Sequence, residues 1–172
     1  MRRLFQIELP VRQEWDAIEP LRQGVTACLR AVFRDLTLCD ALAMVACELL
    51  ENAVKFGDRG PDAGHGFGLS VVGDEDGVEI EVSNPVDPSS TALETLLAEI
   101  ARIRHAPSTQ EAYLDAMRRV VLRGGGSGLG LARIVHEGGC DLSAGVGIDG
   151  VLRVRASTRS FRPPAPIPAA SA

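Results

Sequence analysis

The sequence predicts an α+β fold, a two-layer α/β sandwich in which helices cover one face of a mixed, mostly antiparallel sheet. Three observations lead there. Short stretches that alternate apolar and polar residues stand at the start, middle and end of the chain. Longer stretches with helical apolar spacing lie between them. Two successive pairs of strand patterns are joined by tight turns, which requires antiparallel neighbours.

"LFQIEL" (residues 4–9) alternates and is stopped by Pro10, the pattern of a strand. From Val11 to about Leu36, the residues Leu21, Val25, Cys28, Leu29, Val32 and Phe33 form one helical stripe. A second helix is predicted over 38–56, ending at Gly57, a residue type favoured at helix C-termini. After the glycine-rich loop "GDRGPDAGHG" come two strands, "FGLSVVG" and "GVEIEVS", joined by the acidic turn "DED". Val78, Ile80 and Val82 alternate with Glu79 and Glu81, so this sheet has one covered and one wetter face. Beyond "NPVDPSS" the spacing is helical again: Leu93, Leu96, Leu97, Ile100 and Ile103, with Ser89, Ser90 or Thr91 as the N-cap. A further helical piece, about 109–122, carries Tyr113, Leu114, Met117, Val120 and Val121. A glycine run then opens into a short helix, and "DLSAGVGI" and "VLRVRAS" form a closing hairpin around Asp149-Gly150.

The 172 residues suit one domain, expected over 1–159, with a Pro/Ala-rich tail over 160–172 whose composition predicts disorder. A net charge of −5 argues against a broad nucleic-acid surface. No apolar run reaches the ~18 residues that cross a bilayer, and Glu8 comes too early for a signal-peptide core. A cytoplasmic protein with no direct nucleic-acid or membrane partner is expected. Cys28, Cys39, Cys47 and Cys140 make no CxxC pair and no zinc-type spacing with histidine, so they read as reduced thiols. Basic residues are 17 arginines and a single lysine, Lys55.

The chemistry concentrates in two places. In "ELLENAVKFG" (48–57), Glu48 and Asn52 are four apart and share a helix face, with Lys55 one turn on. Leu49, Leu50, Ala53 and Val54 occupy the flanking directions and can pack on a sheet. A carboxylate and a carboxamide so stacked can hold a Mg²⁺-bound phosphate, the amide oxygen serving as a hard ligand. Such a face is also what solvated helix surface looks like. In "RGGGSGLGLARI" (123–134), Gly124, Gly125, Gly126, Gly128 and Gly130 surround Ser127 and Leu129, and an apolar helix starts at once. Glycines let the backbone approach a ligand and turn successive N–H groups toward one anion, and the helix N-terminus adds favourable potential. The run lacks the preceding strand of a dinucleotide-binding turn and the GK[ST] ending of a P-loop.

Together these motifs resemble those of the GHKL (Bergerat-fold) ATPases, the superfamily of gyrase, Hsp90, MutL and histidine-kinase catalytic domains. "ELLENAVKFG" is similar to the N box and "GGGSGLGLARIV" to the second glycine box, and the similarity spans about residues 4–157. It implies ATP and Mg²⁺ as ligands, with Glu48 as general base and Asn52 as metal ligand. It implies a phosphate-covering loop around Gly126, Gly128 and Gly130. The family's first glycine box is altered: "SNPVDPSS" follows "VEIEV", with Pro85 and Pro88 in place of glycines. Asn84 stands at the strand end where the family's aspartate meets the adenine amino group, and its carbonyl oxygen can accept the same bond. Asp87 is the weaker alternative, and "SNPVDP" as a plain turn is the third.

The layout is most similar to the stand-alone anti-sigma-factor-type serine/threonine kinases. The long helical insert after Asn84 resembles the SiaB-like branch, whose members phosphorylate a small STAS-domain protein. That resemblance implies phosphorylation of a Ser or Thr on a small regulatory partner, a STAS-domain antagonist or a sigma factor, and it allows a homodimer. Glu48 would take the hydroxyl proton, while residues 124–130 cradle the phosphates. Lys55 either neutralises phosphate charge or is a surface lysine, and Glu51 faces solvent or Arg59. Two alternatives stay open: a nucleotide-regulated binding module without chemistry, and a detached histidine-kinase catalytic domain. His65, His105 and His136 lie in no upstream helical hairpin, which disfavours a complete histidine kinase.

Overall fold

The computed structural model describes residues 5–10, 14–57, 67–74, 77–123 and 128–158. In chain order these form β1 (Phe5–Pro10), a 3₁₀ turn (Trp15–Ala17), α1 (Ile18–Val32), α2 (Leu36–Phe56), β2 (Gly68–Gly73) and β3 (Val78–Pro85). There follow α3 (Thr91–His105), α4 (Thr109–Arg123), α5 (Leu129–His136), β4 (Cys140–Val146) and β5 (Val151–Thr158). The strands make one sheet in the order β1-β2-β3-β5-β4. All four pairings among the described strands are antiparallel.

The covered face is set by strand alternation. Leu69 and Val71 of β2, Val78, Ile80 and Val82 of β3, and Leu152, Val154 and Ala156 of β5 are buried in one core with the helices. On the other face Arg155 of β5 pairs with Glu81 of β3. Against the core lies α2, with Leu42, Val45, Ala46, Leu49, Leu50, Ala53 and Val54 all buried. These residues recur every three to four positions and seat one side of α2 in the core, while Asp40, Glu51 and Lys55 stay exposed.

The predicted first helix ends earlier than expected and the second begins earlier. Phe33 is extended (φ −109°, ψ 144°), and the Asp35 side chain accepts from the Leu38 N–H at 3.0 Å, capping α2 from outside. Gly57 is the C-cap of α2 as expected, but in extended backbone, so left-handed glycine geometry is not what stops the helix. Ser90 caps α3, accepting from the Ala92 N–H at 3.2 Å.

Asn84 stands at the end of β3 as expected, paired with Leu152; the strand runs two residues beyond Ser83, with Pro85 paired to Val151, so the plain-turn alternative does not hold. A proline is tolerated there because it sits at the strand end. In α4 the buried residues are Ala112 and Ala116, whereas Leu114, Met117, Val121 and Leu122 are exposed. The small alanine face lets α4 lie close against its neighbours, and the large apolar residues turn outward. The β4–β5 hairpin closes as predicted: Gly150 has φ +70°, a conformation that favours glycine, and donates to the Gly147 carbonyl at 3.0 Å. No helix among the described residues is long and apolar enough to cross a membrane.

Candidate functional site

The site is built where the end of α2 meets the start of α5. Helical spacing puts Glu48 and Asn52 on one face, while Leu49, Leu50, Ala53 and Val54 anchor the helix in the core. The Glu48 side chain is only 15% exposed, and its Oε1 accepts from Arg133 Nη1 at 2.6 Å. Its Oε2 lies against the backbone of Gly130, so close that a Cβ there would collide with it. Burial is the larger influence on this carboxyl and holds its pKa above the usual carboxylate range. Arg133 opposes that, while the charges of Glu51 and Glu137 add to it.

Asn52 is half-buried, and its amide nitrogen donates to the Glu48 carbonyl at 2.7 Å. That leaves the carbonyl oxygen of the amide as the group to meet a cation. Lys55 is exposed at the last turn of α2, its ammonium 5.3 Å from the centre of the Phe56 ring. Glu51 is exposed and accepts from the Cys47 thiol at 3.6 Å; Arg59 lies outside the described residues.

Of the glycine run, Gly124, Gly125, Gly126 and Ser127 lie outside the described residues. Gly128 is the N-cap of α5 with φ +112°, strained for any other residue, and its carbonyl accepts from the Ala132 N–H at 3.1 Å. A Cβ on Gly128 would stand 2.8 Å from the carboxyl carbon of Glu99. Leu129 packs half-buried against the core. The end of the run is thus fixed between two carboxylates, Glu48 under Gly130 and Glu99 beside Gly128.

Glu99 was not foreseen from the sequence. It is 7% exposed and held by Arg119, whose Nη1 and Nη2 donate to its two oxygens at 2.6 and 2.7 Å, and by Arg102. Arg119 also donates to Asp115 at 3.0 Å. A buried carboxylate so paired ties α3 and α4 to the start of α5. Arg133 is the other missed residue. Beyond Glu48 it donates to Glu137 at 3.2 Å, and next to it Tyr113 of α4 stacks on His136 with ring centres 5.1 Å apart.

Asn84 lies on the core-facing side of β3, in step with Val78, Ile80 and Val82, and is fully buried. Its amide nitrogen donates to the Pro85 carbonyl at 3.2 Å, while Oδ1 has no hydrogen-bond partner among the described residues. A buried acceptor left alone is costly, about 1–3 kcal/mol, and marks a place where a donor is wanted. Asp87, the weaker alternative, is taken up locally by the Ser89 N–H and hydroxyl at 2.8 and 2.7 Å, which lower its pKa. Among the described residues no group of three or more His, Cys, Asp and Glu could hold a metal ion. A divalent cation here would need oxygens from its own ligand besides Asn52.

No family model matches the sequence, and no curated protein is similar to it. The fold is similar to that of a chain in the crystal structure of the SiaB–SiaC complex from Pseudomonas aeruginosa. The TM-score is 0.63, over 91% of this chain and 90% of that one, at 20% sequence identity.

Proposed function

We propose that the protein binds ATP with Mg²⁺ and transfers a phosphoryl group to a serine or threonine hydroxyl of a small regulatory protein. The observation that carries this reading is the seat of Glu48: a largely buried carboxylate pressed against the glycine-opened start of α5. A carboxylate raised above its ordinary range and placed beside a phosphate-type loop is suited to general-base work. Other residues of the chain fit the ligand. Asn84 Oδ1 is an acceptor without a donor among the described residues, as an adenine amino group would supply. Asn52 presents a hard oxygen, and Gly128 and Gly130 let the start of α5 lie directly against the Glu99 and Glu48 carboxylates. ATP, when bound, supplies the transferable phosphoryl group.

In this reading Glu48 accepts the hydroxyl proton as the hydroxyl oxygen bonds to the γ-phosphorus and the bond from that phosphorus to the β–γ bridging oxygen breaks, ADP being the leaving group, and Asn52 orients the cation side of the site. A protein acceptor is supported by two things. The structurally similar chain belongs to a two-protein complex. In addition, α4 exposes Leu114, Met117, Val121 and Leu122, an apolar strip of the kind partners cover. In sequence, Leu122 stands two residues before the glycine run.

The Glu48–Arg133 ion pair favours a second reading, a nucleotide-regulated binding module in which the carboxylate is permanently engaged. Incubation with labelled ATP, Mg²⁺ and candidate STAS-domain or sigma partners separates the two. Acid-stable label on the partner is the expected result. Acid-labile label points instead to histidine phosphorylation, and a nucleotide-dependent complex without label to the binding module. Calorimetry that detects no Mg²⁺-ATP uptake overturns both readings.

A further inference from the structure

α4 turns back along α3, since Arg119 donates to Glu99 across the pair, and residues 106–108 alone join the two helices. Between them opens a groove of about 580 Å³, lined among others by Ile103, Ala106, Pro107, Leu114 and Arg118. Helical spacing sets Met117 and Val121 in line with Leu114, beside that groove, and all three are exposed. The charge here is unlike the rest of the molecule. Residues 102–123 hold five arginines against two acids, a net +3 in a chain of −5. Elsewhere Arg22, Arg30, Arg153 and Arg155 are each paired with a carboxylate. Among the described residues Arg104 and Arg118 have no carboxylate partner, and neither does Arg34 in the α1–α2 connection. We propose that this α3–α4 face is the docking surface for an acidic amphipathic helix of a partner protein. That the partner is also the phosphate acceptor rests on the reading above.

Shape and charge choose that occupant. A groove between two helices offers no strand edge, so a helix with apolar anchors at i, i+3, i+4 and i+7 suits it where an added strand does not. Exposed apolar side chains gathered beside arginine, rather than scattered singly, mark a surface that partners cover. An arginine with no carboxylate of its own keeps its charge for another molecule, and opposite charge steers that molecule into register. The chain's own residues 159–172 carry two arginines and no acid, so like charge opposes their entry into the groove. The groove also borders the ion cluster at the start of α5. Arg102 and Arg119, which line it, hold Glu99 beside Gly128. A docked helix thus touches the residues that fix one end of the glycine run.

The test is an NMR titration of the ¹⁵N-labelled full chain, without nucleotide, with two synthetic helical peptides of about 18 residues. Both carry leucines at i, i+3, i+4 and i+7 spacing; the other positions are mostly glutamate in one and mostly lysine in the other. The glutamate peptide should shift amides of residues 102–122 and bind at least ~10-fold more tightly than the lysine peptide. Arg118→Glu and Leu114→Ser should each weaken it by about tenfold. Arg34→Glu, the same change of net charge in another place, should not. Arg118 and Leu114 are exposed, so both variants should keep the parent's melting temperature. No binding of the glutamate peptide, equal binding of both, or shifts centred outside residues 102–122 overturns the proposal. Equal losses in Arg34→Glu and Arg118→Glu do so too. A dimer seen by sedimentation and dissociated by Arg118→Glu would give the face to a second copy and overturn it as well. Docking on a protein that takes up no Mg²⁺-ATP sinks the phosphotransfer reading alone, and nucleotide uptake without docking sinks this assignment alone.

Discussion

Glu48 and Gly130 meet where α2 abuts α5, the carboxylate oxygen standing where a side chain on residue 130 would begin. A Gly→Ala change inside a helix ordinarily gains about 1 kcal/mol. Here it must displace Glu48 or tilt α5, and such overpacking costs about 1–3 kcal/mol. Gly130→Ala should therefore lower the denaturation midpoint. Adding Glu48→Ala should restore part of the loss, giving a non-additive double-mutant cycle. Additive effects would show that the two residues do not touch.

Glu48→Gln should leave Mg²⁺-ATP binding largely intact while cutting phosphotransfer by roughly 10²–10⁴-fold. Since burial raises the Glu48 pKa, the acid limb of the rate profile should lie above the ordinary carboxylate range, activity falling as pH drops through it. The stability sign runs the other way. A carboxyl with a raised folded pKa binds its proton more tightly when folded, so its contribution is lost as pH rises from the unfolded to the folded value. Glu48→Gln should flatten stability across that interval, as urea titrations at several pH values would show.

Asn84→Leu separates stability from binding. The leucine removes a lone buried acceptor from an apolar surround, so the nucleotide-free protein should melt at the same temperature or higher. The rise in melting temperature on adding Mg²⁺-ATP should disappear. A variant that binds nucleotide like the parent would take Asn84 out of the site.

The thiols should differ sharply. Cys28 is exposed, while burial pushes Cys47 and Cys140 up to about 11 and also raises buried Cys39. At pH 8 a thiol with a pKa near 11 is only ~0.1% thiolate. Brief iodoacetamide treatment followed by peptide mass mapping should find label on Cys28 first, with the other three following only on unfolding.

What the sequence could convey was what repeats at short range. The i,i+4 pairing of Glu48 with Asn52, the alternation of β2, β3 and β5, and the Asp149-Gly150 turn are local patterns, and the structure has them. Asn84 continues the 78, 80, 82 alternation, so its inward direction was legible even though Asn-Pro suggests a turn. Arg133 was not legible, because its partner is 85 residues away and the contact exists only once α2 and α5 pack. Glu99 was hidden for a different reason: on an amphipathic helix an acidic residue looks solvated until Arg119 arrives from another helix. In α4 the apolar spacing was read correctly, yet the helix buries its alanines, since close approach rewards small residues over large ones.

Pro85 and Val151 sit side by side in the ladder, although α3, α4, α5 and β4 all lie between them in sequence. The chain departs from β3 and comes back to β5 at the same spot, so this whole excursion is closed at its root by one strand pairing. The outer helices α3 and α4 can change in length over evolutionary time while the β3–β5 register stays as it is. New recognition of other molecules could thus be grafted onto an unchanged sheet.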